Sequence, residues 1–170
     1  MFSIKLDILD EIEKSDTSTK SINGAATNEV LMNICDEFYQ HLEKINFSIN
    51  GFDKDWTNLS IDPDLCMLME DLPGLINFMI NEDSPEFQFG FPEQHLQRIL
   101  TIKRVAGGLK ISCSDWLSKS SELTEELLQP EYFKGLLKEL VEKIRLIVDK
   151  LCPVAYENTI FQDWLKQTQL

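Results

Sequence analysis

Phe87-Gln88-Phe89-Gly90-Phe91 places an aromatic side chain at every second position, with Gln88 and Gly90 between them. An extended chain turns alternate side chains to opposite faces, so this stretch predicts a strand with one apolar face. The run from Leu96 to Val105 repeats the pattern, with Leu100 and Ile102 on one face and Thr101 and Lys103 on the other. Gly107-Gly108 then makes a tight turn into Leu109, Ile111 and Cys113, whose alternates are Lys110, Ser112 and Ser114. Three such runs in succession predict an antiparallel meander with one wet face.

The flanks change period. Upstream, Asp62-Pro63 reads as a helix start, with Asp expected at the cap and Pro at the first helical position. Leu65, Leu68, Met69 and Leu72 continue as an apolar face. Pro73-Gly74 is expected to kink or interrupt that helix, after which Leu75, Ile76, Met79 and Ile80 resume the pattern up to a turn at 81–85. Near the N-terminus, Phe2, Ile4, Leu6 and Ile8 alternate as in a half-buried strand, although a helix from Ile4 through Leu9 and Ile12 is an alternative. Residues 15–28, rich in Ser, Thr, Asn and Gly, read as a loop. Leu31, Ile34, Phe38, Leu42 and Ile45 follow at helical spacing, with Thr27 or Asn28 as cap. A short strand is expected around Phe47 and Ile49, with a turn at Asn50-Gly51. Downstream, Pro130 opens a helix striped by Phe133, Leu136, Leu137, Leu140, Ile144, Ile147 and Leu151, with Glu139 and Lys143 as an i,i+4 pair. Pro153 ends it, and Ile160, Phe161, Trp164 and Leu165 suggest one more short helix. The sum is an α+β fold, an antiparallel sheet packed by several helices, in one domain over residues 1–170.

The chain has 170 residues, 43% of them apolar, enough for a core without disulfides or metal. No window reaches the roughly 20 apolar residues of a membrane span. Met1 to Asp7 lacks a basic region followed by an apolar run, so no cleaved secretory signal is expected. Cys35, Cys66, Cys113 and Cys152 are widely spaced among apolar residues, which predicts reduced core thiols and a cytoplasmic location. The formal charge is −13, and it is concentrated. Residues 53–93 hold ten acidic residues against Lys54 alone, whereas 94–170 hold ten against eleven basic ones. Such a field orients a basic partner, and it disfavours direct nucleic-acid binding, which needs clustered Lys and Arg.

Catalytic and metal signatures do not emerge. The two histidines, His41 and His95, lie in no nucleophile motif. A Glu93, His95 and Cys113 grouping across the meander is the one conceivable enzyme site, against a plain polar connection between strands. The cysteines lack zinc spacing. Asp53-Lys54-Asp55-Trp56 lacks the Gly and Glu of a calcium-binding loop. No phosphate-binding glycine motif occurs, so no cofactor is expected.

Residues 65–116 carry a resemblance. Leu65 to Met69 and Glu70-Asp71-Leu72-Pro73 are followed by Phe87-Gln88-Phe89-Gly90-Phe91-Pro92-Glu93-Gln94. Arg98-Ile99-Leu100-Thr101-Ile102 and Leu109-Lys110-Ile111-Ser112-Cys113-Ser114-Asp115-Trp116 complete the pattern. This order resembles small bacterial immunity proteins that accompany secreted polymorphic toxins, including those of contact-dependent growth inhibition. The resemblance covers about a third of the chain. It implies a cytoplasmic antitoxin that binds and blocks one cognate toxin domain and has no catalytic residues of its own. Many such toxins are basic nucleases, which suits an acidic partner.

The expected toxin-contacting residues are Asp53, Asp55, Trp56, Asp62, Asp64, Glu70, Asp71, Glu82, Asp83 and Glu86. Counter-charges inside the stretch are nearly absent, so pairs within it cannot neutralise the field. Phe52, Trp56, Phe87 and Phe91 are available as aromatic anchors beside the charges. The alternatives are a small enzyme using Glu93, His95 and Cys113, or an adaptor or regulator of another basic protein.

Overall fold

The computed structural model describes residues 1–12, 26–52, 54–55, 59–91, 97–115 and 124–170. The aromatic alternation at 87–91 becomes strand β4 (Glu86–Phe91), followed by β5 (Arg98–Val105) and β6 (Gly108–Asp115). They pair antiparallel in register, Phe89 opposite Leu100 and Leu100 opposite Cys113. Phe89, Phe91, Leu100, Ile102, Leu109 and Ile111 enter the core. On the wet face Lys103 stands directly opposite Lys110. Each lysine is drawn outward to a carboxylate, Lys103 to Glu86 and Lys110 to Glu125, both at 3.0 Å, which relieves the like-charge pairing.

A fourth strand, β7 (Thr124–Leu128), closes the order β4-β5-β6-β7. The sequence pattern does not predict it. Its faces are mixed: Leu127 is 60% exposed, while Glu126 shares the inner face with the buried Leu128. The Glu126 carboxylate accepts the backbone N–H groups of Phe2 and Phe52, both at 2.5 Å. Phe2 immediately precedes and Phe52 immediately follows strands of a second sheet, β1 (Ser3–Ile8), β2 (Ile45–Gly51) and β3 (Lys54–Asp55). The N-terminal alternation is thus a strand, with Ile4 opposite Ile49 and Leu6 opposite Phe47.

Helix α1 (Thr27–Tyr39) buries Val30, Leu31, Ile34, Cys35 and Phe38. It stops before Leu42 and Ile45, which the apolar spacing had placed on it. The N–H groups of Gln40 and His41 bond three residues back, to the carbonyls of Glu37 and Phe38, tightening the last turn. Ile45 instead opens β2, and Leu42 is 44% exposed. Neither Thr27 nor Asn28 caps the helix; Ala26 flanks it without a side-chain hydrogen bond.

Asp62 keeps an extended backbone in a wide turn, Ile61–Leu65, and the Asp62-Pro63 peptide bond is cis. Helix α2 (Cys66–Ile80) then runs unbroken through Pro73. Proline has no N–H for the carbonyl four residues back, that of Met69. The Trp164 indole N–H donates to that carbonyl instead, at 2.8 Å in the core. The far end of α2 is held by Arg104, whose guanidinium donates to the Phe78 carbonyl at 2.5 Å and lies 4.8 Å over the Phe78 ring.

Helix α3 (Pro130–Leu151) packs on β1, and α4 (Pro153–Tyr156) and α5 (Thr159–Gln167) follow. Its ion pairs are Lys134–Glu131 and Arg145–Glu142, in place of the expected Glu139–Lys143 pair. The layers share one apolar core. The expectation of four reduced thiols is not met. Cys35 and Cys66 are joined as a disulfide between α1 and the start of α2, with Cα atoms 6.0 Å apart, and Cys113 and Cys152 are buried thiols.

Candidate functional site

The described carboxylates of the acidic stretch do not form one patch. Helix α2 separates them: Asp62 precedes the helix, while Glu82 and Asp83 follow it. Fifteen helical residues rise about 22 Å, more than a Debye length at moderate salt. Asp62, Glu82 and Asp83 are exposed, and Glu70 is exposed on α2 between them. None of these four makes an ion pair within the described residues.

The other expected contact residues divide. Asp64 is 1% exposed, so it is withdrawn from the surface. Its carboxylate accepts the Ser60 N–H at 2.8 Å and the Ser60 hydroxyl at 3.1 Å, bracing the turn before α2. Asp71 is half-buried; loss of hydration, reinforced by the neighbouring Glu70 charge, raises its carboxyl above the ordinary 3.8. Glu86 is paired with Lys103 from β5, so counter-charges from outside the stretch reach into it. Asp53, Trp56 and the Asp55 side chain lie outside the described residues. Of the aromatic anchors, Phe52 and Phe91 are core residues, and Phe87 is partly buried, close to Gly74.

The enzyme alternative gains no geometry. Glu93 and His95 lie outside the described residues, and Cys113 sits on the core side of β6, 6% exposed. The second buried thiol, Cys152, is pushed up to about 12, chiefly by burial and then by the Glu37 charge; it stays protonated at neutral pH and is a poor nucleophile. Among the described residues no group of three or more His, Cys, Asp or Glu is placed to hold a metal ion. No helix among them is long and apolar enough to cross a membrane.

Two surface features were not singled out by sequence pattern. An open groove of about 780 Å³ lies along α3 and α5, with Val141 and Leu165 among its apolar lining residues. Its charges are largely matched. Arg145 is clasped by Glu142 at 2.6 Å and bonded to the Tyr156 hydroxyl at 3.3 Å, and Lys166 pairs with Asp163. The Glu142 carboxyl is held below its usual value by the Arg145 hydrogen bonds. The second feature is the outward face of α1, where Met32 and Tyr39 are more than half exposed beside Asp36. The available signal was that Met32 and Tyr39 fall off the helix's apolar stripe.

Comparison of the chain with protein-family models, curated proteins and solved structures returns no match.

Proposed function

We propose that this chain is a protein-binding module that captures a basic partner, as an immunity protein captures and neutralises its toxin domain. The observation that carries this reading is the set of exposed carboxylates Asp62, Glu70, Glu82 and Asp83, without ion pairs among the described residues, on a chain of formal charge −13. Carboxylates left unpaired on a surface project a field that speeds encounter with a cationic protein. A nuclease-type toxin, which grips phosphates with Lys and Arg, has a surface of the complementary sign.

The test is association of the chain with the product of the adjacent upstream gene, measured by stopped flow. The association rate should fall about tenfold or more as salt shortens the Debye length from about 30 Å to about 3 Å, and the toxin's activity should disappear in the complex. Replacing Asp62, Glu70, Glu82 and Asp83 by Asn or Gln should slow association without altering the fold. A complex that forms but leaves the partner active points to the adaptor reading instead. Association insensitive to salt refutes the electrostatic basis.

A further inference from the structure

The outward face of α1 combines features that a merely solvated helix face does not need. Glu29, Met32, Asp36 and Tyr39 follow one another at spacings of three and four, opposite the side chains that enter the core. They therefore form one stripe along a helix of thirteen residues, about 20 Å long. Met32 is 58% exposed, Tyr39 55%, and Leu42 in the following turn 44%. Asp36 stands on the stripe between them and Glu43 follows Leu42 in the next turn, and no Lys or Arg occurs between Ala26 and Glu43. Asp36 makes no ion pair within the described residues, whereas Glu37 lies round the helix toward the buried Cys152 and is not part of this face.

We propose that this face is the docking surface for an amphipathic, Lys- and Arg-bearing helical segment of a partner protein. The partner's apolar side chains seat on Met32, Tyr39 and Leu42, and its cations meet the carboxylates that flank them. The spacing suits a helix laid along a helix. Apolar anchors inside a charged rim provide both affinity and orientation. A second copy of this chain does not fit, because two such faces would set carboxylate against carboxylate. An anionic lipid surface is repelled for the same reason. The inference rests on the proposed capture of a basic partner, and it names the face on which a segment of that partner docks.

Amide NMR of the full chain, titrated with a synthetic amphipathic peptide of about 20 residues, tests it. The peptide carries Leu at every third or fourth position and Lys elsewhere; a control carries Glu in place of Lys. The expected result is a set of shift changes confined to residues 28–43, absent with the Glu peptide. Met32→Ser combined with Tyr39→Ser should weaken binding about tenfold, as should Asp36→Lys, with unchanged melting temperatures because these side chains are exposed. Shift changes centred on Asp62, Glu70, Glu82 and Asp83, or affinity untouched by the substitutions, overturn the α1 surface while leaving capture of a basic partner intact. No binding of the Lys peptide at low salt overturns both. Dimerisation of the chain through α1 also overturns the inference.

Discussion

Asp71 shows that a carboxylate within an acidic run need not act as surface charge. Its folded value is raised above 3.8 by burial and by Glu70, so the folded state holds the proton more tightly than the unfolded one. The resulting stability is present at low pH and is lost as pH rises from 3.8 through the raised folded value. Asp71→Asn should therefore leave stability unchanged near pH 3 and increase it at pH 7, flattening that part of the pH profile. Thermal melts at the two pH values check this, and an equal difference at both would refute it. Asp62 and Asp64 make the same point by contrast. They flank Pro63 in one short segment and look alike in sequence, yet one is exposed and the other is 1% exposed. Only the turn that brings Ser60 to the Asp64 carboxylate separates them.

At the level of elements, the period of the apolar residues was the dependable signal. Strands β4, β5 and β6 lie where alternation placed them, because the pleat imposes a two-residue repeat directly on the side chains. Helix α1 was legible in its middle and not at its end, since Leu42 and Ile45 fit a helical stripe and the start of a strand equally well. The expected break at Pro73 fails for a tertiary reason: Trp164 replaces the missing donor to the Met69 carbonyl. Trp164→Phe should thus cost more than its lost indole area, by about 1–3 kcal/mol, because it strands a buried acceptor. Pro73→Ala restores a backbone N–H to that carbonyl and should recover part of the loss. A double-mutant cycle measures the coupling; strictly additive effects would show that the indole does not substitute for the proline's missing donor.

In the whole molecule, two sheets and their helices are joined at a few points where one segment supplies what another lacks. Glu126 of β7 accepts two amides at the ends of strands of the other sheet, and the Tyr132 hydroxyl of α3 donates to the Phe2 carbonyl at 3.1 Å. Gly51, at φ +144°, lies against both partners; a Cβ there would stand 3.0 Å from the Glu126 carboxylate and from the Phe2 backbone. Glu126→Ala should destabilise the fold by about 1–3 kcal/mol, since it leaves part-buried donors unmatched. Glu126→Gln, which retains one acceptor oxygen, should cost less. Chemical denaturation of the three proteins decides this, and equal stabilities would remove the clamp.

Local repetition was enough to give the α+β class, the meander, the long C-terminal helix and the acidity of residues 53–93, because each is written in neighbouring side chains. Strand β7, the intact helix through Pro73, the Cys35–Cys66 link and the division of the acidic stretch required the folded chain. Each depends on a group supplied from far along the sequence: Phe2 and Phe52 for Glu126, Trp164 for Met69, Lys103 for Glu86. The candidate surface follows the same rule. The carboxylates were visible from the start, but which of them face solvent, and that Met32 and Tyr39 stand out beside Asp36 on α1, was decided by what the rest of the molecule packs against.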